Sequence, residues 1–412
     1  MIALVAPLAV TLGSAIAGAA ADGALGLTPR GASRAPLLVL VTLVAAYLAS
    51  TVPIALAILV LLAVATRARR ARSPSLAPLP GLGFWIAAGA LVLVCLSRPE
   101  HPILWDDLVW LSKARLAAPW PSRLVRAALD PNGGVIPSGY PLFYSLASAW
   151  LGGFSSQRSA VAAGAAAFDA LACVAFLGAV WDSKPGRRLG RVAIAVAVLV
   201  TCPIVLVHLR AAYVDLPVGL LAATLALSFE APRPRAAPAV LAIALVGLKD
   251  EGLAHVLAVL AVATGFSAIR RSRRRLTAAL VGLGCGATAF AAWRLRLASA
   301  GVPADHALNY VRFDRAAPLA RMLASHARDR GTWGATLGLG AGAWIAAWAR
   351  GRRAPGPSLR LAATLSAQAV ALGLALLCGP DRLMEFAANG TLLNRLIVQL
   401  VPMVAALTAS WI

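Results

Sequence analysis

The sequence predicts an all-α membrane protein, a polytopic bundle of about twelve transmembrane helices with short amphipathic helices in its first external loop. Three observations lead there. Of 412 residues, 60% are hydrophobic and only 13% are charged, too few polar groups to cover a soluble surface. Apolar runs recur at roughly the 17–25 residues that carry a helix across a bilayer core, and hydrocarbon offers unpaired backbone no partner, which favours helices. The basic residues cluster between those runs, as RARRAR at 67–72, KPGRR at 184–188, RRSRRR at 270–275 and ARGRR at 349–353. Such clusters mark the cytoplasmic ends of membrane helices and meet anionic lipid.

Taken in order, residues 2–20 form the first span, since no basic segment precedes them as in a secretory signal. The apolar run 36–66, interrupted at Ser50 to Pro53, is one kinked helix or a tight pair, which leaves the count between 11 and 13. Span 81–97 leads into a first external loop, 98–158, and an apolar helix resumes over 140–151. Spans then follow at 159–181, 190–207, 214–229, 238–248, 253–268, 276–298, 332–349, 359–378 and 396–412, with further external loops at 299–331 and 379–395. This threading puts every basic cluster on one side and all acids but Asp169, Asp182 and Glu230 on the other. Residues 1–412 read as a single integral-membrane domain without a separate soluble unit, in a bacterial inner membrane; heavy use of Ala and Arg beside only three Lys points to a GC-rich genome.

The net charge of +22 would suit nucleic acid, but no soluble basic module with interleaved aromatic residues accompanies it. Nucleic acid is therefore not expected as a partner. The five cysteines lie far apart, mostly within apolar spans, where they read as small buried side chains. His101, His208, His255, His306 and His326 have no ligand spacing, so neither a metal nor another cofactor is expected.

Chemistry concentrates in four places at the external ends of spans: Trp105-Asp106-Asp107, Tyr213-Val214-Asp215, Lys249-Asp250-Glu251 and the segment Asn389 to Gln399. Asp106 to Ala118 reads as an amphipathic helix on the membrane surface, with Leu104, Leu108, Leu111 and Leu116 toward lipid. Lys113, seven residues after Asp106, shares its helical face, where it would pair with a carboxylate, touch a phosphate or snorkel to the surface. The two aspartates have a second use as N-terminal helix caps. Asp169, alone in mid-span, is either functional or hydrogen-bonded to neighbouring helices.

Read together, WDDLVWLSKARLA, SGYPLFYSL, YVDLPVGLL, LKDEGL and NGTLLNRLIVQLVP resemble segments of the multi-spanning glycosyltransferases of the GT-C superfamily, relatives of protein O-mannosyltransferases and lipid A aminoarabinose transferases. The resemblance is spread over most of residues 81–412. It implies transfer of a sugar from a polyprenyl-phosphate donor to an acceptor hydroxyl on the non-cytoplasmic face, the acceptor being a lipid, glycan or protein. It assigns the general base to the first external loop, at Asp106 with Asp107 orienting the acceptor or the two exchanged. Arg395, and less directly Arg382, would stabilise the departing phosphate. Tyr140, Tyr213, Asp215, Lys113, Lys249 and Glu251 would contact substrate. Many relatives carry an additional soluble domain for the acceptor; here loops 98–158, 299–331 and 379–395 would take that role. The alternative is a transporter or flippase of lipid-linked sugars, suited by breaks at Pro53 and at Lys249 to Gly252.

Overall fold

The computed structural model describes residues 32–51, 80–98, 105–132, 140–230, 237–303, 310–351, 356–388 and 391–412, without the side chains of residues 105–107 and 382. All regular structure among them is helical. The elements that position the site are α1 (Arg34–Thr51), α2 (Leu82–Leu96), α3 (Trp105–Leu116), α4 (Pro121–Leu129), α5 (Phe143–Leu151), α6 (Arg158–Asp182), α7 (Arg188–Val200), α8 (Pro203–Leu209), α9 (Asp215–Ser228), α10 (Ala237–Leu248), α11 (Glu251–Ile269) and α12 (Arg273–Ser299). The chain continues through α13 (Ala316–Arg328), α14 (Arg330–Trp333), α15 (Thr336–Gly351), α16 (Pro357–Cys378), α17 (Arg382–Ala388), α18 (Thr391–Val398) and α19 (Val401–Ala409).

Six stretches are long and apolar enough to cross a bilayer: α1, α6, α11, α12, α16 and the combined segment Thr391–Ala409. The chain is thus a helical membrane protein by helix length and composition. The count of about twelve is not reached among the described residues: α2, α9 and α10 are apolar but hold only 15, 14 and 12 residues, and α15, in place of the expected span 332–349, holds 16. The expected span 190–207 is corrected to a bent pair: α7 and α8 meet at 91° across Thr201 and Cys202. Pro203 opens α8, and its ring, which has no N–H to donate, starts a helix readily but cannot continue one. The expected first span, and whether 36–66 is one helix or two, turn on residues 1–31 and 52–79, outside the described residues.

The helix ends sort into two groups. At one end Asp182 accepts from the Ala32 and Ser33 backbone N–H groups at 3.1 and 3.0 Å, Arg360 Nε donates to Glu230 at 3.0 Å, and Ser410 meets Ser358 at 3.0 Å. Two of the three acids that broke the one-sided distribution, Asp182 and Glu230, are thereby matched at the basic end. At the opposite end Arg296 at the close of α12 donates to Thr51 O, 2.6 Å away, and Arg294 meets Asp250 at 2.5 Å.

Between the ends an aromatic lattice ties the helices together. Tyr47 packs edge-on to Phe143, Phe143 and Tyr144 both pack edge-on to Phe168, and Tyr144 meets Trp110. Rings in this geometry add to the gain from their buried area. The chain from α1 through α5 and α6 thus reaches α3 in the first loop. A second, smaller core of Leu319, Leu372, Leu376, Leu393 and Leu396 holds α18 against α13 and α16.

Candidate functional site

Four helix ends bring their charges to one place, and each charge has the sign its helix end favours. Asp215 and Glu251 open α9 and α11, where backbone N–H groups leave partial positive charge; Lys249 follows the last carbonyls of α10, and Arg395 lies in the last turn of α18. Close backbone approach sets the register. A Cβ on Gly252 would lie 1.9 Å from Leu245 O, which folds the start of α11 tightly back on α10. A Cβ on Gly219 would lie 2.4 Å from Gln399 O, so only glycine lets the first turns of α9 touch the end of α18.

Asp215 is the hub. Its Oδ1 accepts from Lys249 Nζ at 2.8 Å and from Gln399 Nε2 at 2.7 Å, and its Oδ2 accepts from Arg395 Nε at 3.0 Å. Lys249 Nζ also reaches Glu251 Oε1 at 3.0 Å. The Asp215 and Lys249 side chains are 0% and 1% exposed, whereas Arg395 remains 22% exposed. Buried charges persist only when paired and hydrogen-bonded, and these are. Gln399 Oε1 in turn lies 2.8 Å from His255 Nε2. The Arg395 guanidinium lies 5.3 Å from the Tyr213 ring centroid, and the His208 ring packs edge-on to Tyr213 at 4.7 Å.

The first loop reaches this cluster through Tyr140. Its phenol is pushed well above its ordinary pKa by burial and by the Glu251 carboxylate, with Arg395 opposing, so it stays a protonated donor within electrostatic reach of both. Trp110 lies parallel to Tyr140, 6.1 Å away. Lys113 Nζ sits 5.2 Å from the Trp110 ring and 5.7 Å from the Tyr140 ring, inside cation–π range. Lys113 is buried, which excludes the surface-snorkelling option. Leu111 is buried too, a correction to the lipid-facing set; Leu108 and Leu116 are exposed, and Leu104 is outside the described residues.

Tyr213, Asp215, Lys249, Glu251 and Arg395 are therefore brought together, with Tyr140 within electrostatic reach and Lys113 over the Tyr140 ring. The trio 249–251 pairs only in part, since Asp250 turns to Arg294; burial and the neighbouring Glu251 outweigh that guanidinium and push its carboxyl up to about 6. The side chains of Asp106, Asp107 and Arg382 lie outside the described residues, although the helices that carry them are seen. Asp169 is paired, with Arg98 and with the Tyr144 hydroxyl, which donates to it at 3.3 Å. Arg98 also donates to Ala211 O at 2.6 Å.

Sequence reasoning missed Arg98, Tyr144, His255 and the place of Gln399. Two of these carried a signal: His255 and Gln399 stand four residues after Glu251 and Arg395, the spacing of one helical face. Among the described residues no three His, Cys, Asp or Glu side chains gather as a metal site. No family model, curated protein or solved structure matches the chain.

Proposed function

We propose that the protein is a membrane glycosyltransferase that moves a sugar from a polyprenyl-phosphate donor to an acceptor hydroxyl on the non-cytoplasmic face, within a GT-C-like helical bundle. The observation that carries this reading is the continuity from α3 to the buried cluster. Positions 106, 110 and 113 share one face of α3, and Trp110 and Lys113 on that face pack on Tyr140, whose phenol is within electrostatic reach of Glu251 and Arg395.

In the proposed reaction the Asp106 carboxylate takes the acceptor's proton, and the freed oxygen attacks the anomeric carbon from the face opposite the phosphate. The carbon–oxygen bond to phosphate breaks, and the electron pair leaves on the phosphate, with inversion at carbon. Asp107 orients the acceptor. Arg395 and Lys249 stabilise the leaving oxygens, and Tyr140 donates to substrate. With Asp215 and Glu251 ionised the four cluster charges cancel, so the phosphate is held by aimed donors more than by net attraction. Asp215 then serves as the fixed anchor that aims Lys249 and Arg395, a preorganised arrangement of the kind that stabilises developing charge. Arg382 has its place on α17, one short helix before α18.

The test is transfer of labelled sugar from purified polyprenyl-phosphate donor in proteoliposomes. Asp106→Asn should lower turnover by roughly 10²–10⁴-fold, the usual contribution of a positioned base, while insertion and folding stay normal. Near-normal turnover removes Asp106 from the chemistry.

A second reading, a translocator of lipid-linked sugar, is favoured by the 91° break between α7 and α8 and by the Arg98–Asp169 pair within the helical bundle. Broken helices and buried ion pairs are familiar in transporters. The second break invoked for it, at Lys249 to Gly252, is instead the turn between α10 and α11, and Pro53 is outside the described residues. Movement of the sugar across the bilayer without a new glycosidic bond would decide for this reading.

A further inference from the structure

At the basic end of the bundle, far along the helices from the Asp215 cluster, lies a small cleft of about 60 Å³ between the ends of α6, α9 and α19 and the starts of α7 and α16. Its polar lining is Ser183, Lys184, Arg191, Ser358 and Ser410, with Glu230 at one side. Arg191 is only 2% exposed. Its guanidinium donates to Ser183 Oγ at 3.1 Å, to Gly186 O at 2.9 Å and to Lys184 O, but its buried Nε has no hydrogen-bond partner. A guanidinium held this deep by carbonyls and a hydroxyl is not neutralised by them, and an unmade hydrogen bond on a buried charged group is costly. Glu230 does not neutralise it either, because Glu230 is already the partner of Arg360.

Among the lining residues the charge is positive: Lys184 and Arg191 stand against Glu230, which Arg360 already pairs. The other wall is apolar, formed by Val180, Leu227 and Leu361. Lys184 and Arg188 belong to one of the basic clusters that the charge distribution assigns to the anionic leaflet. A cationic lining, three hydroxyls and an apolar wall at the membrane boundary match a phosphate group attached to acyl chains.

We propose that this cleft binds the phosphodiester headgroup of an anionic membrane lipid. The phosphate oxygens meet Lys184, Arg191 Nε and the serine hydroxyls, and the glycerol end of the acyl chains lies along Val180, Leu227 and Leu361. The bound lipid bridges five helix ends, so it acts as a structural ligand. The proposal does not depend on the transfer reading, and its measurement contains no sugar donor.

The experiment uses the full chain purified in a neutral detergent and follows the thermal unfolding midpoint during titration with phosphatidylglycerol, phosphatidylcholine or inorganic phosphate. Phosphatidylglycerol should raise the midpoint saturably, and native mass spectrometry should find one retained copy. Lys184→Gln, at an exposed position that tolerates change, should require at least about tenfold more phosphatidylglycerol for the same shift, the tenfold being 1.4 kcal/mol. Arg191→Gln should abolish the shift if it folds; the Lys184 variant keeps the test decisive if it does not. Equal shifts with phosphatidylcholine, an unchanged titration of Lys184→Gln, or full reproduction by inorganic phosphate would each overturn the lipid site.

Discussion

Asp215 and Asp381 each bridge two cations at the same end of the bundle, yet they stand in opposite surroundings. Asp215 joins Lys249 and Arg395 with none of its side chain exposed. Asp381 joins Arg312 and Arg315 with 82% of its side chain exposed. In the first case water is excluded, so every oxygen must be matched, and Gln399 supplies the remaining donor. In the second, water completes the shell, and the partners' other contacts do the holding: Arg315 donates to Gly379 O at 2.6 Å and to Leu376 O at 3.3 Å, which pins the loop before α13 to the end of α16. The same residue types therefore build an aimed cluster in one place and a tether in the other. Burial, rather than charge, makes the difference.

The largest effect should come from breaking the buried hub. Asp215→Asn leaves Lys249 and Arg395 with one compensating charge fewer in a site without water, and loss of one partner of a buried pair costs about 3–5 kcal/mol. Lys249 keeps Glu251 and Arg395 keeps the Tyr213 ring, so the lower end of that range is expected in detergent unfolding. Sugar transfer should fall with it. Replacing the pair together, Asp215→Leu with Lys249→Met, should recover part of the stability, since well-packed apolar pairs often equal buried ion pairs, but none of the transfer. Recovery of both would show that the pair is structural only.

Much of this contrast was readable in advance, and the remainder has a physical reason for having been hidden. Hydrophobic run lengths located the long apolar helices, because the bilayer permits little else, whereas α4, α13 and α17 lie inside the expected external loops 98–158, 299–331 and 379–395, where no such run marks them. The signs of Asp215, Lys249, Glu251 and Arg395 also fit their helix ends. Partner identity was not readable: the hydrogen-bonding partners of Asp215 lie 34, 180 and 184 residues further along, and local spacing carries no information over such separations. Arg98 was overlooked for the same reason, its partner Asp169 lying 71 residues away. The bend at Thr201 to Pro203 was hidden differently. Hydropathy stays high across it, and only the proline hinted at the break.

A smaller effect should separate Asp250 from the hub one residue away. Burial raises its carboxyl from 3.8 to about 6, Arg294 opposes, and Glu251 adds to the rise. The folded state therefore binds this proton more tightly than the unfolded state does. The resulting stability is complete below 3.8 and is lost as pH rises through about 6. Asp250→Asn should flatten the fall of the unfolding midpoint across that window and leave the slope above it unchanged. A slope equal to wild type would assign the pH dependence to another group.

The smallest effect is expected at the exposed bridge. Asp381→Asn removes a carboxylate that water and salt already screen, and exposed pairs contribute little. Arg315 retains Gly379 O and Leu376 O, and Arg312 retains Asp314 at 2.8 Å. The midpoint should therefore move by less than about a fifth of the Asp215→Asn effect, and high salt should erase the difference. Arg315→Ala should cost more than Asp381→Asn despite removing the same ion pair, because Arg315 is buried and its loss strands two carbonyls. Equal costs for the two would mean that the ion pair, and not the carbonyl tether, fastens this loop, and the contrast with Asp215 would then be one of degree.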